Sequence, residues 1–138
     1  MKLKKGFTLV ELLIVLAVIA ALLSVATPLA INAVKSAKAS QVAQNFRSIK
    51  SAIENYFNTE TPSDPTNIQN SDLENGYINS FPANFSFTIS DSGNGVYTVT
   101  ITYTGKDVAL DKVQKAGLKE VAQNGDNLEL TFDLQKWW

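Results

Sequence analysis

Hydrophobic positions crowd the first third of the chain and then change rhythm twice. From Leu12 to Ile31 the chain carries no charge, and Ser24 and Thr27 are its only polar side chains. At about 1.5 Å per residue a helix over this stretch spans roughly 30 Å, the thickness of a bilayer core. The pattern then turns amphipathic. Ile31, Val34, Val42, Phe46, Ile49, Ile53, Tyr56 and Phe57 recur at three- and four-residue intervals, with a gap of small residues around Ala37 and Ala39. Lys35, Gln41, Gln44, Arg47, Lys50 and Glu54 lie opposite. One long helix is predicted, a membrane-spanning rod over 7–31 that becomes the spine of a small domain over 32–58. Pro28 removes the hydrogen bond to the Ser24 carbonyl and is expected to kink it.

Past residue 58 the period changes. The stretch NTETPSDPTNIQNSDLENG is rich in prolines and turn formers and predicts a loop over 58–84. NFSFTIS and GVYTVTITYTG alternate, with Phe85, Phe87 and Ile89 on one face and Tyr97, Val99, Ile101 and Tyr103 on another. DSGNG between them reads as a hairpin turn. NLELTFDL alternates as well, pointing Leu128, Leu130, Phe132 and Leu134 inward. A short helix is predicted near 107–123, with Asp107 as N-cap and Gly125 just past its end. The fold class is therefore α+β: a long N-terminal helix whose second half is covered by an antiparallel sheet of at least three strands within a globular head, 59–138.

Composition sharpens this picture by exclusion. The 138 residues contain no Cys and no His, which rules out disulfides, thiol nucleophiles, Ser-His-Asp chemistry and Cys/His zinc sites. No paired-carboxylate motif can be placed in a pocket, so an enzyme is the reading least supported. SDLENG and NGDNLE offer oxygen atoms without EF-hand spacing and read as turns, so no metal or cofactor is assigned. The net charge of −1 hides a division. Lys2, Lys4 and Lys5 precede the apolar run, and Lys35, Lys38, Arg47 and Lys50 follow it with no acid until Glu54. From residue 59 onward five lysines stand against eleven Asp and Glu. An acidic head gives no footing for direct nucleic-acid binding. A basic stem of one copy against the acidic head of another is an expected assembly contact, testable by salt. Trp137 and Trp138 are expected to pack over the sheet, with contact to a neighbouring copy or an adhesive tip as the alternatives.

One residue does not suit a plain membrane anchor. Glu11 opens the apolar run, and its positions i−4, i+3 and i+4 hold Phe7, Ile14 and Val15. Intramembrane acids are expensive and generally have partners, so a partner from another chain is expected. A cleaved secretory signal is disfavoured because the apolar run is longer than such segments and flows directly into an amphipathic helix. The lysine bias places the N-terminus in the cytoplasm and the head outside.

KKGFTLVELLIVLAVIAALLSVATP resembles the N-terminal signature of type IV pilins and type II secretion pseudopilins: a basic leader, Gly6, Phe7, then T-L-V-E with an acid four positions on. The resemblance covers about the first thirty residues, and GYINSFPAN is similar to the stretch leading into the pseudopilin sheet. It implies a pilin-like fold and no chemistry of its own. It further implies removal of leader 1–6 by a prepilin peptidase that cuts between Gly6 and Phe7, and methylation of the new Phe7 amine. Glu11 would then pair with the Phe7 amine of a neighbouring copy.

The implied partners are copies of the chain in a helical homopolymer, the peptidase and methyltransferase, and an inner-membrane assembly platform. The implied location is the inner membrane as precursor, then an extracytoplasmic filament, periplasmic or on the cell surface. A surface pilus, a secretion pseudopilus and a competence pilus remain open within the resemblance. Outside it stands a single-span protein with an extracytoplasmic binding domain that never polymerises.

Overall fold

A computed structural model describes Gly6 and residues 8–138 of the chain. Helix α1 runs Leu9–Glu60 as one element with Pro28 inside it. The proline expected to kink it does not interrupt it, and the nearby Ser24 hydroxyl donates to the Ala21 carbonyl at 2.7 Å. The chain divides into two compact units, one ending at Lys35 and one spanning Ser36–Trp138, with the division falling inside α1. The first unit is the apolar helix itself. The second is the head.

Within the head, α1 supplies Ala39, Val42, Ala43, Phe46, Ile49, Ala52, Ile53 and Phe57 to the core. The gap of small residues in the amphipathic pattern is therefore part of the packed face, since Ala39 is fully buried. A four-stranded antiparallel sheet covers this face: β1 Phe85–Gly93, β2 Val96–Tyr103, β3 Ala122–Asn124 and β4 Asn127–Gln135, in the order β1-β2-β4-β3. Asn94 and Gly95 both take positive φ between Gly93 and Val96, which gives the two-residue turn a hand matching the strand twist.

The register places Phe85 opposite Tyr103 and Ile101 opposite Leu130, so the predicted apolar faces coincide. Tyr97, Val99, Ile101, Tyr103, Leu128, Leu130 and Leu134 are buried, and Phe46 meets Phe85 edge-on at 5.1 Å between centroids. The other face of the sheet is polar, with Thr98 donating to Asp133 and Thr100 beside Thr131. One buried face and one wet face is the usual economy of an antiparallel sheet.

The connections differ from expectation in three places. The stretch read as loop begins later, because α1 continues to Glu60, and it contains a 3-10 turn Pro65–Asn67 and helix α2 Asn70–Glu74. Asp64 builds the turn by accepting from the Thr66 amide at 3.1 Å and the Thr66 hydroxyl at 2.6 Å, which holds its carboxyl below the usual range. Asp72 opens α2 by accepting from the Gln69 amide at 2.7 Å. The helix foreseen near 107–123 shrinks to α3, Leu110–Lys115. Ala109 precedes it in place of Asp107, Gly117 ends it, and Gly125 lies in the turn between β3 and β4. Strand β3 is the fourth strand, three residues long and without an alternating apolar pattern to announce it.

Candidate functional site

The start of α1 is set by Thr8. Its hydroxyl oxygen accepts the amide hydrogen of Glu11 at 3.1 Å, and its carbonyl accepts the first helical bond from Leu12 at 3.1 Å. The same hydroxyl lies 3.2 Å from Glu11 Oε1 and donates to it. T-L-V-E is thus a helix-capping arrangement, with the threonine satisfying an orphan amide and the glutamate lying where a helix N-terminus favours negative charge.

This corrects the expectation that Glu11 lacks a partner within its own helix. The partner lies at i−3, and the capping pattern that finds it was present in the sequence. A neutral hydroxyl satisfies a lone pair but leaves the charge in place. Gly6 is exposed, and an added Cβ there would meet no atom of the described residues within 4 Å. Phe7, the predicted site of cleavage, methylation and assembly, lies outside the described residues.

Beyond the cap, the first part of α1 is apolar on every side. Leu12, Leu13, Ile14, Val15 and Leu16 are consecutive and all exposed, as are Leu22, Leu23, Val25 and Leu29. The helix is long and apolar enough to cross a membrane, and none of its most apolar 18-residue window is buried. Pro28 and its freed Ser24 carbonyl lie in this stretch.

In the head, the stem cations are already engaged. Lys38 Nζ contacts Asp107 Oδ2 at 2.7 Å, and Tyr103 donates its hydroxyl to Asp107 Oδ1 at 2.5 Å. Asp107 therefore ties α1 to β2 where it was expected to cap α3. Lys38, and after it the Tyr103 hydroxyl, hold the Asp107 carboxyl below its ordinary range. Burial, aided by that carboxylate, pushes the Tyr103 phenol up to about 12. Arg47 Nη2 donates to the Ala116 carbonyl at 2.7 Å, satisfying the end of α3. Lys50 stands over the Phe132 ring, 5.2 Å from its centroid. Three of the four stem cations thus face groups of their own chain, which leaves Lys35 from the basic patch expected to meet a neighbour.

The terminal tryptophans contact α1 and each other. Trp137 Nε1 donates to Asn58 Oδ1 at 3.0 Å, and Trp138 meets Phe57 at 4.7 Å between centroids. Both return to the last turns of α1, and Trp137 stays 65% exposed. The core above them is already closed by Phe57, Tyr97 and Leu134. Among the described residues no group of three or more His, Cys, Asp or Glu side chains converges as a metal site would require.

Comparison with known proteins matches residues 1–27 to the prokaryotic N-terminal methylation motif. No curated protein and no solved structure matches the chain. The match covers Gly6, Phe7, Thr8 and Glu11 together with most of the exposed apolar helix. Residues 1–27 of this chain are the prepilin signature of the type IV pilins and pseudopilins, joined through one long helix to an α+β head.

Proposed function

We propose that the chain is the structural subunit of a type IV pilus-like filament. It is made as an inner-membrane precursor with a cytoplasmic N-terminus, cut between Gly6 and Phe7, methylated on Phe7 and moved from the membrane into a helical homopolymer outside it. The observation that carries this reading is the apolar stretch of α1, exposed around its whole circumference and lying largely within a methylation motif. Lipid covers this stretch in the precursor, and the same helices of other copies cover it in the fibre.

Glu11 supplies register during that transfer. Cleavage creates a positive amine on Phe7, and a carboxylate on the neighbouring chain lowers the cost of taking that charge out of water. Because both groups must shed solvent, the pair selects the correct alignment more than it adds stability. The assembly platform and peptidase act on the precursor from the membrane.

N-terminal mass spectrometry of the chain from its own cells, with electron microscopy of sheared surface material, tests the proposal. A mature chain beginning with methylated Phe7 and found in fibres is expected. An uncut Met1, or an unmodified Phe7 on a chain that stays in the membrane, would instead establish a non-polymerising single-span protein.

A further inference from the structure

Among the described residues, the exposed large hydrophobic side chains fall into two groups. Those between Leu9 and Val34 belong to the apolar helix, and the head contributes Trp137 and Trp138 alone. The pair is held in place. Trp137 is hydrogen-bonded to Asn58 and stands edge-on to Trp138 at 5.5 Å between centroids. Trp138 rests on Phe57 with Lys136 Nζ over its ring at 5.4 Å. An indole fixed in this way has little freedom left to lose on binding, and tryptophan is the side chain most often found at the energetic centre of protein interfaces.

The same head carries a groove of about 620 Å³ between α1 and the segment following α2, with Arg47, Ser48, Ser51, Glu74, Tyr77 and Ile78 among its walls. Tyr77 and Ile78 are half-buried and give it an apolar side, while the two serines are short enough to leave it open. Arg47 is held by its bond to Ala116 and brings a planar cation to the groove. Glu74, which accepts from the Phe81 amide at 3.2 Å, brings an acid. These features suit an indole flanked by a lysine: apolar contact for the ring, a guanidinium for its π face, and a carboxylate for the ammonium of Lys136.

The knob and the groove share no residue, and Asn58 stands about three turns beyond Arg47 on α1. A contact between such unlike surfaces joins copies at different levels along α1. Such a heterologous contact is not self-complementary, and where its rotation does not close into a ring it repeats into a fibre. We propose that Trp137, with Trp138 and Lys136 beside it, docks into the Arg47–Ile78 groove of a second copy. The inference rests on the filament reading and specifies its head-to-head contact.

The chain contains no cysteine, so disulfide trapping reads this contact directly. Ser63, whose carbonyl accepts from Lys136, lies beside the knob, and Asn79 lines the groove. Full-length chain carrying Ser63→Cys and Asn79→Cys, oxidised in sheared filaments, is expected to give a ladder of dimers and higher multimers, with each single variant giving none. Adding Trp137→Ala is expected to reduce the ladder by about tenfold, while the unfolding temperature of the detergent-solubilised chain stays unchanged. Filaments that form without a ladder, or a ladder indifferent to Trp137→Ala, would overturn this contact and leave the filament intact. Absence of filaments from the wild-type chain would remove the filament reading, and this inference with it.

Discussion

A single substitution separates the cap that Glu11 builds from the role proposed for it. Its carboxylate belongs to the Thr8 cap, and its charge is the partner proposed for a neighbour's amine. Glu11→Gln keeps a side chain that suits the third position of a capping box and removes only the charge. The expected outcome is normal membrane insertion with loss of filaments from the sheared fraction. Filaments at the wild-type level would assign Glu11 to capping alone. Gly117 offers a second test. Its φ of +104 disfavours any side chain, and an added Cβ would stand 2.5 Å from Arg47 Nη2. Gly117→Ala is expected to destabilise the head by about 1–3 kcal/mol, read as a lower unfolding temperature.

Between elements, polar ties hold α1 to the segment linking β2 and α3. Asp107 is central, because Lys38 and Tyr103 both reach it. Its folded pKa is depressed, so its contribution is present above the ordinary carboxylate pKa of about 4 and is lost as pH falls through the folded value. Tyr103 works in the opposite direction. With its folded pKa raised to about 12, it contributes below its ordinary pKa and loses that contribution as pH rises toward the folded value. Asp107→Asn is therefore expected to lower the unfolding temperature at neutral pH, with the difference from wild type vanishing in acid. A difference constant across that acid range would show that its charge does not matter. The pair is half exposed, so the effect is modest.

At the scale of the whole molecule, the covering of one apolar helix dominates any assembly. Salt at about 1 M shortens the screening length to about 3 Å and weakens exposed charge contacts, but it does not weaken apolar burial. Lys38 and Lys50 are engaged within their own head, and Arg47, bonded to Ala116, faces an indole rather than an acid in the contact proposed above, so a stem-to-head charge contact between copies has little to draw on. Fibres are expected to keep their length in high salt, as measured by electron microscopy after dialysis. Their dissociation would restore the charge-pairing contact.

Where local pattern carried the information, the sequence was enough. The apolar run, the three alternating strands, the hairpin at Asn94–Gly95 and the order Gly6, Phe7, Thr8, Glu11 are all local. Period, turn chemistry and motif spacing survive without any tertiary context. What depended on distant partners was not legible. Asp107 looked like a cap until Lys38 and Tyr103 were brought beside it, and the stem lysines looked free until the head folded against them. Strand β3 is too short to show a period and exists because β4 offers it an edge. The position of Trp137 was likewise settled only when the core closed without it and left the indole exposed at the end of α1. Sequence determined the long helix, the three alternating strands and which end of the chain carries the methylation motif. Tertiary structure decided which charges and aromatics remain available, because availability depends on what else has already been packed against them.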